Sequence, residues 1–151
     1  MKLSALHPRY EAVNSEQVMT EPVPRLIELA RKAKEFDLNL TVDAEEADRL
    51  ELSLDVFAAA LADPTLAGWD GFGLAVQAYQ KRARGVIEKL KQLAGDTRQR
   101  FMVRLAKGAY WDSEIKHAQV EGFPNFPVLT TKQGTDFHHL ALSPRHISEP
   151  T

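Results

Sequence analysis

The sequence predicts an α/β fold of parallel strands joined by crossover helices, and more narrowly a partial (β/α)8 barrel. Three observations carry that expectation. Strand-like and helix-like segments alternate with a unit of roughly 30 to 35 residues, the size of one βαβ step. Each strand-like segment delivers a polar residue at its carboxyl end, in turn Lys2, Asp43, Gln77 and Arg104, and ligands in such folds sit on that rim. The stretch Arg100–Trp111, RFMVRLAKGAYW, sets a cation, a glycine turn and paired aromatics after an apolar run. A complete barrel takes about 250 residues, so 151 residues allow four βα units at most.

Lys2–Leu6 reads as the end of a strand. His7-Pro8-Arg9 is a turn, because Pro8 holds its predecessor out of the helical region. Asn14 or Ser15 caps a short helix. Pro22 and Pro24 interrupt it, and Pro24 suits the first turn of a longer helix whose stripe is Leu26, Leu29, Ala30 and Ala33. Leu38–Asp43 reads as a strand running into the acids of Asp43–Asp48. The next helix places Leu50, Leu54, Phe57, Ala58 and Leu61 on one face and stops at Asp63-Pro64. Gly68–Gly71 is a turn, with Trp69 a packing residue, and Phe72–Val76 is a strand. A helix from about Tyr79 to Leu93 closes at Gly95. The strand at Phe101–Val103 ends at Arg104, Lys107–Trp111 form a loop, and a helix runs from Ser113 to Gly122. Residues 133–151 show no stripe at helical spacing and hold two prolines near the end, so 1–132 is expected to be the folded region and 133–151 an irregular, poorly ordered tail.

Composition excludes several classes. With 19 Lys+Arg against 21 Asp+Glu the net charge is −2, which gives nucleic acid no basic surface to bind. The absence of cysteine removes disulfides, thiolate metal sites and a cysteine nucleophile. No apolar run approaches the ~20 residues of a membrane span, and Met1-Lys2-Leu3 running into His7-Pro8-Arg9 is no signal peptide. The expectation is a cytoplasmic protein.

The rim residues carry two readings each. Arg104 offers a planar multi-donor cation, or a surface ion pair. Lys2 suits a carboxylate, or is simply solvated. Asp43 and Glu45 could serve acid–base or metal chemistry, or act as ordinary partners of a helix N-terminus. Gln77 is a site amide or a loop amide; Tyr110 and Trp111 line a pocket or belong to the core. The five histidines show no ligand spacing beside a strand end, so no metal is assigned.

KLSALHPRY (Lys2–Tyr10), DAEEADRLELSLD (Asp43–Asp55), QAYQKR (Gln77–Arg82) and RLAKGAYWDSEIKHAQ (Arg104–Gln119) together resemble the proline dehydrogenase family, in particular the flavin domain of its bifunctional bacterial branch. The resemblance covers about residues 2–132. It implies a (β/α)8 barrel, of which this chain holds roughly the second to fifth βα units. It also implies FAD-dependent oxidation of L-proline to Δ1-pyrroline-5-carboxylate, with electrons passed to a membrane quinone and, in full-length relatives, peripheral membrane association. By the same resemblance Asp43 and Arg104 are catalytic, with Arg104 beside the flavin N5 and Glu45 the companion acid of Asp43. Lys2 and Tyr110 bind proline. Gln77, Lys107, Gly108, Ala109 and Trp111 contact the flavin, and Val42 does so through its backbone.

Residues from Gln133 match nothing in that family, and its last three strands, its carboxylate-clamping arginines and its adenosine-binding segments have no counterpart here. The isolated chain is therefore expected to be weak or inactive, and to self-associate through open sheet edges. Two other readings remain. One is a non-catalytic remnant of the barrel. The other is an unrelated metal-dependent hydrolase using Asp43 and Glu45.

Overall fold

Parallel pairing of consecutive strands is what the alternation demands, and it is what forms. The computed structural model of the chain describes residues 1–146. Its elements are α1 (Ser15–Thr20), α2 (Pro22–Glu35), β1 (Leu40–Val42), α3 (Leu50–Leu61), β2 (Phe72–Gln77), α4 (Ala83–Thr97), β3 (Met102–Ala106), α5 (Trp111–Val120) and α6 (Lys132–His146). The strands lie in the order β1-β2-β3, all parallel, with α3 and α4 as the crossovers. The fold is the expected open portion of a (β/α) barrel.

A fourth strand position is marked by Met1. Its ammonium donates to Thr41 O at 2.6 Å and its carbonyl accepts from Asp43 N at 2.7 Å. Those are the two bonds of a parallel pair, so Met1 lies level with Val42 and Lys2 with Asp43. The chain then leaves the sheet at once in a 3-10 turn, Leu3–Ala5.

Strand β2 is buried at every position. Because side chains alternate across a sheet, Phe72, Leu74 and Val76 join the core under the helices, with Phe57, Ala60 and Leu61 of α3 and Val86, Ile87 and Leu90 of α4. Gly73, Ala75 and Gln77 take the opposite face. At Gly73 even a methyl group would collide with the backbone of Met102, 2.4 Å from its carbonyl oxygen. Phe57 anchors the helix layer: its ring stacks on Phe72 at 4.7 Å and meets Phe101 edge-on at 5.3 Å. Trp69 stacks near Phe72 with ring centroids 6.2 Å apart, the packing role its sequence position suggests.

Several local expectations are corrected. In α2, which opens at Pro22 and holds Pro24 in its first turn as expected, Val23 replaces Leu29 in the buried stripe, leaving Leu29 exposed. The helix expected from Tyr79 begins at Ala83, because Ala78 and Tyr79 still donate to the β3 side (Ala106 O and Lys107 O, both 2.7 Å). Its end passes through Gly95 to Arg98, which takes the left-handed conformation at φ 52°. Arg104 lies inside β3, not beyond it, and Trp111 opens α5. The largest difference is the tail. Lys132–His146 is a 15-residue helix, so the boundary expected at 132/133 falls within a helix and residues 133–146 are not irregular. Thr131 caps it by accepting from Gly134 N at 3.1 Å, and Thr135 and Leu142 are buried. The last five positions of the expected tail lie outside the described residues.

Phe57 is fully buried, and truncating a buried phenylalanine removes apolar contacts and leaves a cavity. Phe57→Ala is expected to lower unfolding stability by about 3–5 kcal/mol, read as a shift of the denaturant midpoint at constant slope.

Candidate functional site

The strand register brings the polar residues together. Val42 pairs with Leu74 and Ala75 with Arg104, so Lys2, Asp43, Ala75 and Arg104 form one row across the helix-free face of the sheet. Arg104 and Asp43 stand two strand spacings apart, each about 4.8 Å. They nevertheless meet, Arg104 Nη2 to Asp43 Oδ1 at 2.5 Å, which requires the guanidinium to pass over the short side chain of Ala75. The second Asp43 oxygen lies 3.3 Å from the Met1 ammonium. Burial works against ionisation of Asp43, but the ammonium and Arg104 outweigh it and hold the carboxyl below its ordinary range. At the end of the row Lys2 Nζ lies 5.6 Å above the Tyr110 ring, a cation–π distance. Interaction with Tyr110 raises the Lys2 ammonium above its usual value.

Gln77, one step further along β2 on the same face, is 4% exposed. Its Nε2 donates to Glu45 O and its Oε1 accepts from Ala109 N, both at 2.9 Å. The amide thus ties the acidic segment after β1 to the Lys107–Tyr110 turn after β3. Gly108 in that turn has φ 149°, and a Cβ there would sit 2.4 Å from the Tyr79 ring; only glycine meets both conditions. The Tyr79 hydroxyl accepts from Tyr110 N at 3.3 Å.

The remaining expected site residues lie off this row. Val42 buries its side chain in the core, which leaves its backbone for the expected contact. Lys107 turns to α6 and pairs with Asp136 at 2.6 Å; Lys132 pairs with the other oxygen at 2.7 Å. Hydrogen bonds from these two lysines bring the Asp136 carboxyl down to about 2. Trp111 is 42% exposed and donates Nε1–H to Leu129 O at 2.9 Å, so it is no core residue. Glu45 is buried and both its oxygens are partnered: Oε1 accepts from Ser4 N at 3.0 Å and Oε2 from Arg49 at 3.1 Å. Asp43 and Glu45 therefore do not converge, and among the described residues no three His, Cys, Asp or Glu side chains gather as a ligand set.

A cavity of about 370 Å³ runs beside the turn, lined by Lys107, Gly108, Trp111, Thr130, Thr131 and Lys132 among others. Asp136, which pairs with both Lys107 and Lys132, lines it too, so the cavity presents two ammonium groups already joined to a carboxylate, beside threonine hydroxyls. Thr130, Thr131 and Lys132 escape sequence reasoning because they follow an irregular proline-rich stretch, Phe123–Pro127, with no strand end to mark them.

Glu114 is also missed, since a carboxylate in the first turns of a helix normally reads as solvated. It is 4% exposed and accepts from Ala47 N at 2.5 Å. Burial pushes its carboxyl up, Asp48 and Glu46 add to the rise, and the Ala47 N–H and His117 oppose it. A carboxyl raised in the fold contributes stability that is present below its unfolded value and lost as pH rises through the folded one. Glu114→Gln keeps the acceptor and removes that loss. The melting temperature of the variant is expected to exceed wild type by a margin that widens from pH 4 to pH 7.

The proline dehydrogenase family model matches residues 2–150, so the segment from Gln133, expected to fall outside that family, falls within the match. The chain is 51% identical over 150 residues to the bifunctional protein PutA of Salmonella typhimurium, covering 99% of this chain and 11% of that protein. It is 29% identical over 110 residues to proline dehydrogenase 1 of Bacillus subtilis, covering 73% of this chain and 29% of that one. Among solved structures, a mutant of Bradyrhizobium japonicum proline utilization A superposes with a TM-score of 0.93 at 62% identity, covering 95% of this chain and 15% of its own. Proline utilization A from Bdellovibrio bacteriovorus, inactivated by N-propargylglycine, gives a TM-score of 0.88 at 28% identity, covering 96% and 15%. The chain thus spans about a tenth of the length of the bifunctional relatives it matches. On the family match and these identities, the chain belongs to the proline dehydrogenase family.

Proposed function

We propose that this chain carries part of the site for FAD-dependent oxidation of L-proline to Δ1-pyrroline-5-carboxylate. The observation that supports it best is the row Lys2, Asp43 and Arg104 on one sheet face, closed by Tyr110 at its edge. Oxidation removes a hydride from C5 and the proton from nitrogen, leaving a C=N bond; the flavin, when bound, accepts the hydride, and a quinone in the membrane takes the electrons onward. Lys2 serves the proline carboxylate, with Tyr110 beside the ring. Arg104, oriented by Asp43, supplies positive charge where reduced flavin gains negative charge. Val42, Gln77, Lys107, Gly108, Ala109 and Trp111 border the flavin. No helix among the described residues is long and apolar enough to cross a membrane.

A second reading, a non-catalytic barrel remnant, draws support from β3. Among the described residues it pairs with β2 alone, and an open edge invites pairing with another copy. Sedimentation equilibrium is expected to show species larger than a monomer.

The deciding experiment adds FAD to the purified chain, removes the excess by gel filtration, and records the visible spectrum before and after anaerobic L-proline. Retained flavin that bleaches with proline supports catalysis, and Arg104→Met is then expected to slow bleaching on the order of 100-fold, the size typical of losing one preorganised donor. A colourless protein supports the remnant.

A further inference from the structure

The acidic segment after β1 carries Asp43 yet has no regular structure of its own until the 3-10 turn at Ala47–Arg49. It is held by side chains sent from later βα units. Arg82, just before α4, donates Nη2 to Ala47 O at 2.7 Å. Glu114 of α5 accepts from Ala47 N at 2.5 Å. Both peptide groups flanking the Ala47 Cα are thus gripped, one by a cation and one by a buried carboxylate, while Gln77 holds Glu45 O. Neither Arg82 nor Glu114 touches the Asp43–Arg104 pair.

Helix packing alone does not call for an acid at 114. An apolar residue there would fill the same space without placing a carboxyl near Glu46 and Asp48, whose push on it the Ala47 N–H and His117 oppose. What the carboxyl adds is an acceptor for the buried Ala47 N–H, which an apolar residue would leave unpaired. Its target is a backbone group four residues from Asp43. On the other side Arg82 reaches Ala47 O while also contacting Glu51 at 3.3 Å, which ties the grip to α3.

We propose that Glu114 and Arg82 are positioning residues that act through the peptide groups of Ala47 to fix where Asp43 stands against Arg104, so that α5 and the acidic segment move as one piece. The proposal rests on Asp43–Arg104 as the centre of the site. Its test reads Asp43 directly and needs no flavin, so it stands or falls apart from the proline experiment.

The test is carbon-detected NMR titration of the Asp43 carboxyl in the labelled full chain, with hydrogen exchange of the Ala47 amide alongside. In Glu114→Ala the Ala47 amide is expected to exchange about ten-fold faster or more, reporting local opening. The Asp43 midpoint is expected to rise toward the ordinary carboxylate value. Glu114→Gln, whose amide oxygen accepts the same bond, is expected to restore both. Arg82→Met is expected to raise the Asp43 midpoint too, and since that arginine is 48% exposed its loss leaves the core intact if Glu114→Ala does not fold. An Asp43 midpoint unchanged in Glu114→Ala, or in Arg82→Met where the first variant is unfolded, overturns the proposal. So does a Glu114→Gln variant that behaves like Glu114→Ala.

Discussion

Everything at the site depends on the parallel register of β2 between its two neighbours. Because β2 is paired on both edges and buried on both faces, its alternation is fixed. Phe72, Leu74 and Val76 go to the helices, and Gly73, Ala75 and Gln77 go to the open face. A slip of one residue would exchange the two sets, putting glycine where Phe72 stacks and turning the Gln77 amide toward the helices. The same register sets Asp43, Ala75 and Arg104 in line, so that a long side chain on β3 reaches a short one beyond β1 across a methyl group.

From that fixed strand outward, the rim is organised by side chains bonding to backbone. Gln77 takes a carbonyl from one loop and an N–H from another. Arg82 and Glu114 take the two sides of Ala47. Tyr79 supports the Gly108 turn with its ring and Tyr110 N with its hydroxyl. Loops that lack internal hydrogen bonds are thereby given partners and a defined position. Charge follows the same logic: Asp43 lies between an ammonium and a guanidinium, and Asp136 between two lysines that join the turn to α6.

Much of this was legible where local pattern and final environment agree. FGLAV between a glycine turn and Gln77 reads as a buried strand and is one. The Asp43 and Arg104 blocks announce a rim, and family resemblance supplied roles that composition could not. The sequence failed where distant partners decide. Tyr79 looks like the start of a helix, but it and Ala78 are claimed by bonds to Lys107 and Ala106. The segment from Gln133 looks irregular because it shows no stripe at helical spacing and holds two prolines near its end. It is helical because Thr131 caps it, Leu142 finds a buried place, and His138 reaches Ala78 O at 2.7 Å. Glu114 could not be read as buried without knowing that Ala47 would lie across from it.

The sidedness of β2 also bears on how this sequence can drift. Six consecutive codons answer to two unrelated demands, apolar bulk at one parity and smallness or an amide at the other. Neighbouring positions would therefore accept almost disjoint sets of residues, and a substitution profile along this strand should look like two interleaved genes rather than one. An insertion of a single residue there exchanges both demands at once, so length in β2 is expected to be held more strictly than any one of its side chains.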